Sequence, residues 1–461
     1  MLRTIDMPGL PPGSWLMDYR RDGVVLYRGS LVEGGDDWFA EGAWAGDFSK
    51  TGMLGSSFRC GSGAALKGQR LIVAPPSHSL EAIYCFRFAS QPRWLISNSF
   101  ACLSAAAPNS DLALPMFAAV EARAKTIKDG IGTYERVLHR ARSGTFFRLA
   151  FSRFRLRLNR DTPVETILRP PALFVDYDDY VERLAAIARS IIANAAAPQR
   201  RHPFGRIVSS ISGGYDSPAV TAIVKQLGDI ETVSLSTARG GRDDSGAHIA
   251  AMWNIPCHEY TRFATAIETR GVGGRFVNPA DVDLTTLPEV DAFLGAITTP
   301  EDAIFAPFAP HLQGAVYFTG VHGDRMWAAK ASRDPNITRP DVAGSGLDEF
   351  RKRLGFVHVP LAFYGAQNVR RVRKISRSDE MAPFSVGGKY DRPIPRRIVE
   401  SAGVPREAFG NRKNAGSVLF RFTPQERHQF HNDLVERYRD ALKDVVARLQ
   451  PRPRWAWRRR F

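Results

Sequence analysis

The stretch "SSISGGYDSPAV", Ser209 to Val220, decides how this chain is read. It sets two glycines, an aspartate and serine hydroxyls between a β-branched run, "RIVSSIS", and an apolar one, "PAVTAIVKQLG". Gly213 and Gly214 admit positive φ and a close backbone approach that a Cβ would block. Ser210, Ser212 and Ser217 supply hydroxyls, and Pro218 suits a first helical turn, where its missing N–H is not needed. Val220, Ile223, Val224 and Leu227 fall at i, i+3, i+4 and i+7, one face of a helix, with Gly228 placed as its C′ glycine. A buried strand therefore feeds a glycine turn into a helix N-terminus, where unbonded N–H groups and the helix dipole favour an anion. Asp216 inside that positive nest opposes an anion alone. It belongs there if Mg2+ shares the site with phosphates.

Working outward, the texture on either side differs. Before residue 160 the chain is strand-rich: "GQRLIVAPPSHSLEAIYCF" and "RWLISNSFACLSAA" are short β-branched or aromatic runs cut by Gly, Pro and Ser. In "GTFFRLAFSRFRLRLN" Phe154, Leu156 and Leu158 alternate with Arg153, Arg155 and Arg157. This predicts a hairpin turning near Ser152 whose second strand is a sheet edge with arginines in solvent. After "RDTPVETILRPP", helices and strands alternate. "DYDDYVERLAAIARSIIANAAA" is an amphipathic helix through Leu184, Ile187, Ile191 and Ile192. "ETVSLSTA" is a second strand, "DDSGAHIAAMWNI" a second helix N-capped by Asp243 or Asp244, and "AVYFTG" a later strand. Strands joined through helices pair in parallel with right-handed crossovers. The C-terminal "HNDLVERYRDALKDVVARLQ" is another amphipathic helix, and the basic, aromatic "PRPRWAWRRRF" (451–461) reads as a docked or frayed tail.

A length of 461 residues fits two or three domains. No apolar run is long enough to span a bilayer, and the first residues lack the pattern of a secretory signal. Cys60, Cys85, Cys102 and Cys257 form no CxxC pair and no zinc spacing, as expected of reduced thiols in a cytoplasmic protein. The formal net charge of +16 raises the local concentration of any polyanion but names none.

The loop is neither a Walker A nor a dinucleotide GxGxxG. It resembles the SGGxDS loop of the PP-loop ATP pyrophosphatases, which cleave ATP between its α- and β-phosphates. "VYFTGVHGDRMW" is similar to the second phosphate- and metal-binding loop of the asparagine synthetase family, S-G-E-G-x-D-E: Gly320 and Asp324 match, while Val321 and Arg325 replace its glutamates. "PREAFGNRKNAG" resembles that family's basic loop, with Lys413 as its lysine, and "APFSV" stands where the family shows P-F-L-D. The strands before residue 160 look like the family's glutamine-hydrolysing domain without its N-terminal cysteine.

The resemblance implies an α/β fold: a C-terminal parallel sheet with flanking helices (residues 166–450, PP-loop, Rossmann-like) after a strand-rich α+β Ntn-hydrolase-like domain (1–165). It implies ATP and Mg2+ as ligands. Ser210, Ser212, Gly213, Gly214, Asp216, Ser217, Ser236 and Gly320 would hold the nucleotide, Asp216 and Asp324 the metal. Lys413 would stabilise charge on the adenylate and pyrophosphate. His322 is the nearest titratable group for the proton of an attacking amine; packing on the nucleotide is its alternative role. Arg242 is a candidate phosphate or substrate contact. His258, His358, Trp327 and Tyr364 read as structural.

The departures argue against asparagine synthesis. β-Lactam synthetases and lasso-peptide cyclases lack the same nucleophile; they adenylate a carboxylate and pass the acyl group to an amine. The substrate expected is thus a carboxylate-bearing small molecule or peptide plus an amine. Two alternatives stay open: a PP-loop enzyme acting on nucleic acid such as tRNA, and a non-catalytic nucleotide-binding scaffold for a biosynthetic partner protein.

Overall fold

The computed structural model describes residues 2–68, 70–108, 113–166, 174–263, 277–298, 300–329, 346–388, 390–412 and 414–449. The chain is mixed α/β, with a strand-rich first part and an all-parallel five-stranded sheet in the second.

The first part builds two larger sheets. One runs, in spatial order, Leu2–Asp6, Gly23–Arg28, Trp15–Arg20, Arg93–Ser97, Ile83–Phe88, Gly144–Leu149, Val137–Ala141. The other runs Val164–Thr166, Arg153–Leu156, Arg70–Ala74, Gly63–Lys67, Trp38–Ala40, Glu33–Gly35. Inward residues of both, among them Trp15, Phe39, Val73, Trp94, Phe147 and Phe154, form one core.

The sequence predicted a hairpin at Ser152, and the structure corrects it. Gly144–Leu149 and Arg153–Leu156 lie in different sheets, and Phe151 takes a positive φ of 67° where the chain passes between them. Nor is Arg153–Leu156 an edge, since it pairs on both sides. Its arginines are half-buried, and Arg153 donates to the Leu54 carbonyl. The alternation fixed which residues face inward; it carried no information on the pairing partner. Likewise "SFACLSAA" is not strand. Ser99 accepts from the Cys102 amide and caps a helix, Phe100–Ala106.

In the second part the strands are β1 (Arg206–Ser210), β2 (Glu231–Leu235), β3 (Cys257–Tyr260), β4 (Ala315–Thr319) and β5 (Val357–Pro360), in the order β3-β2-β1-β4-β5. Among the helices are α1 (Tyr177–Ala195), α2 (Asp216–Val224), α3 (Ala247–Met252), α4 (Leu347–Leu354), α5 (Pro393–Ser401), α6 (Pro424–Ala441) and α7 (Lys443–Leu449). The strand order turns back on itself between β1 and β4. The carboxyl ends of the strands at such a reversal are the usual ligand position of open parallel sheets.

Helix α2 stops at Val224, one turn short of expectation, and Gly228 has no positive φ, so it is not a C′ glycine. Asp243 and Asp244 do not cap α3; its N-cap is Gly246, without a side-chain hydrogen bond.

The two parts share cores. Phe58, Cys60 and Phe151 pack with α1, α2 and β5, while Leu434, Val435, Tyr438, Leu442, Val445 and Leu449 of the C-terminal helical segment pack on Tyr84, Phe100 and Leu103. A buried ion network ties them as well. The Arg351 guanidinium, on α4, donates to Glu41 (2.8 and 3.0 Å) and Glu81 (2.9 and 2.7 Å), with all three side chains almost fully inaccessible. Burial alone would raise the Glu81 carboxyl, but Arg351, with His78 and Lys352 behind it, reverses this and holds it below the ordinary carboxylate range.

Candidate functional site

A cavity of about 340 Å³ fills the crevice between β1 and β4. That volume suits a small molecule. Its wall is two-sided. Val233, Leu235, Ile304, Phe305, Phe308 and Leu347 make an apolar floor, and the loops after β1, β2 and β4 make a polar rim.

Glycines let those loops interlock. A Cβ on Gly320 would lie 2.5 Å from the Ser217 nitrogen, and one on Gly323 2.6 Å from the Asp216 carboxyl carbon. One on Gly246 would lie 2.6 Å from the Ser212 nitrogen. Gly410 has φ of 66°, rests on the Tyr215 ring and donates its amide to the Gly213 carbonyl at 2.9 Å. The β1 loop is thus clamped from three sides by backbone, which no side chain can replace without displacement.

Gly213 and Gly214 differ from expectation. Neither has positive φ, and a Cβ on either would meet protein atoms only at 3.4–3.5 Å. Nothing within the chain demands glycine there. Ser212 Oγ accepts from the Gly214 amide (3.2 Å) and lies 2.9 Å from Ser217 Oγ, shaping the turn ahead of the first turn of α2.

The structure brings together Ser210, Ser212, Gly214, Asp216, Ser217, Gly320, His322 and Asp324 as lining residues of the cavity. Gly213 lies behind the lining, its amide on the Asp244 carbonyl. Ser236 is not among the lining residues and its hydroxyl donates to the Tyr260 carbonyl at 3.4 Å. Lys413 lies outside the described residues, as does the 451–461 tail. His322 has a left-handed φ of 71°; its Nε2 is 3.3 Å from Ser79 Oγ and its ring meets Phe363 edge-on. Its imidazole therefore engages the strand-rich part of the chain. Arg242 is exposed and away from the lining.

Sequence reasoning did not place three groups in the site: Arg392 and Tyr390, which it passed over, and Asp244, which it took for a helix cap. Arg392, the residue before α5, forms an ion pair with Asp216. Burial disfavours its charge, yet Asp216, Tyr390 and Asp324 outweigh that and raise its pKa. Tyr390 covers Gly214, with its hydroxyl about 3.5 Å from where a Cβ would stand. Asp244 lines the cavity from the β2 loop, held by Asn414 at 3.3 Å. Desolvation lifts its carboxyl to about 6, against the hydrogen bond from Asn414. Their motifs, "YDRP" and "RDDSG", carry no recognisable pattern; the groups are found through the tertiary approach of their loops.

The charge count is informative. Four lining carboxylates, Asp216, Asp244, Asp302 and Asp324, face one guanidinium, Arg392, among the described residues. A helix N-terminus beside such acidity suits a metal-complexed anion better than a bare one.

Compared with known proteins, the chain matches no family model and no curated protein.

Proposed function

We propose that the protein is an ATP-dependent, AMP-forming carbon–nitrogen ligase of the asparagine synthetase-like kind. In this reading the parallel sheet is a PP-loop domain and the strand-rich part a degenerate Ntn-type domain that hydrolyses no glutamine. The observation that carries it is the convergence at the β1–β4 crevice of the α2 N-terminus, Asp216 and Asp324. Gly214, on the cavity lining, supports it: with no demand from φ or neighbours, its missing side chain is explained by close approach of phosphate oxygens.

The residues fit Mg-ATP. Ser212, Gly214 and Ser217 with the first turn of α2 would hold the pyrophosphate portion. Asp216 and Asp324 offer the hard oxygen ligands that Mg2+ prefers, alongside phosphate oxygens. Mg2+, when bound, neutralises the phosphates and the charge developing on them. Arg392 exchanges its Asp216 partner for a phosphate oxygen and adds a fixed positive charge. The apolar floor takes the base or the acyl portion of the substrate.

The reaction needs a carboxylate to attack the α-phosphorus with release of pyrophosphate, then an amine to attack the acyl carbon with release of AMP. The amine must lose a proton. Asp244, with its carboxyl near 6, is ionised at neutral pH and placed on the cavity wall to accept it. His322, its ring set against Ser79 and Phe363, positions the β4 loop instead.

A nucleotide-binding scaffold is the second reading, favoured by the Arg392–Asp216 pair standing where a metal would bind. Product analysis separates the two. Protein given Mg-ATP and a host extract of small molecules and peptides should release AMP and pyrophosphate, and Asp216→Asn should not. ADP as the product would refute the ligase. Nucleotide binding without turnover across many extracts would install the scaffold.

A further inference from the structure

The opposite end of the same sheet holds a second cluster. Glu231 opens β2, His258 lies near the start of β3, and His311 comes from the short helix Ala309–Leu312 that precedes β4. His258 Nε2 is 2.9 Å from Glu231 Oε2, His311 Nδ1 is 3.6 Å from the same oxygen, and the three donor atoms lie within 4.8 Å of one another. All three side chains are partly exposed.

We propose that Glu231, His258 and His311 form a binding site for a divalent transition-metal ion of the zinc class, with a fourth position left for water. The donor set, two imidazoles and a carboxylate, is one that zinc accepts at about 2.0–2.2 Å per bond, which gives a tetrahedral edge of about 3.3 Å. The two N···O separations of 2.9 and 3.6 Å bracket that edge. Outer partners are in place. Tyr260 OH is 2.8 Å from His311 Nε2, which leaves Nδ1 turned toward the carboxylate, and Arg206 holds Glu231 Oε1 at 3.3 Å, leaving Oε2 to the imidazoles.

One adjustment is needed. The imidazoles stack with centroids 3.8 Å apart and a 24° tilt, whereas a metal lies in the plane of each ring it binds. One ring must turn about its χ2, a soft torsion in histidine. His258, the more exposed of the two, is the ring that turns. Bound metal would staple β2, β3 and the segment leading into β4 at the end of the sheet away from the cavity. The site is therefore independent of the ligase reading.

The ligands come from three separated segments, so no local spacing such as HxxxH announces them. The test uses the full-length protein, stripped with chelator and kept in excess Mg2+ to occupy hard-oxygen sites. Zn2+ titration against a chromophoric chelator should show one equivalent bound. His258→Gln and His311→Gln should each weaken binding at least tenfold. No zinc uptake by wild type, or equal uptake by the His258→Gln/His311→Gln variant, would overturn the proposal. Should that variant fold poorly, the wild type decides: Zn2+ should protect His258 and His311 from diethyl pyrocarbonate in peptide mass spectra. Absence of protection would equally overturn it.

Discussion

Replacing Arg351 with Met removes the cation that satisfies two buried carboxylates while keeping most of its volume. In the native protein both Glu41 and Glu81 take two donor contacts from this one guanidinium, which is 2% exposed. Met leaves two like charges side by side out of water. Breaking a buried pair in this way costs about 3–5 kcal/mol; Glu81 loses both of its Arg351 donors, while Glu41 keeps those from Ser62 and Asn98. The loss should be read by equilibrium chemical denaturation at pH 7 and again near pH 5. The pH dependence carries the reasoning. In wild type the folded Glu81 pKa is depressed below its ordinary 4.5, so its contribution is present above about 4.5 and is lost as pH falls toward 2. In the variant the sign reverses: unpaired burial raises the folded pKa of Glu81, so its penalty is full at pH 7 and fades as it takes up a proton toward pH 5. The gap between variant and wild type should shrink over that interval. A cost below about 1 kcal/mol at pH 7, or a gap that does not change with pH, would show that the network does not hold the two parts together in this way.

Three further outcomes are expected. Gly320→Ala drives a Cβ into the backbone at Ser217 and Asp216, at 2.5 and 2.6 Å, and should cost about 1–3 kcal/mol together with nucleotide binding; wild-type denaturation and binding curves would refute the interlocked loops. Asp244→Asn should keep pyrophosphate release but slow amide formation at least tenfold, and erase the acid limb near pH 6 in the rate profile; an unchanged limb would assign the base elsewhere. Burial pushes all four thiols up, Cys102 to about 12, but Cys257 alone of the four is partly exposed. A maleimide at neutral pH should therefore label Cys257 first in the native protein; fast labelling of Cys60 would contradict the packing.

Much was legible from local pattern. Apolar spacing through Leu184 and Ile191 predicted α1, and strands alternating with helices predicted the parallel sheet, because burial of one face imposes its period on the sequence. "SGGYDS" located the crevice because a strand, a glycine turn and a helix start are all written in neighbouring residues. The strand pairing around Phe151 was not legible: alternation names a face and is silent on the neighbour. The caps failed for a related reason. Asp244 and Gly228 have the right residue types for capping, but the loop positions they occupy are set by Asn414 and by the end of α2.

By itself, then, the sequence determined the elements and one glycine loop, since both depend on contacts between residues close along the chain. Only the tertiary structure decided which charges meet. Arg392 reaches Asp216, Arg351 reaches Glu41 and Glu81, and His311 reaches Glu231 across long loops whose closure leaves no local trace. A charged side chain reads the same in sequence whether it ends in water or against a buried partner. Its partner, and hence its pKa and its chemistry, is fixed when the sheet order sets the loops beside one another.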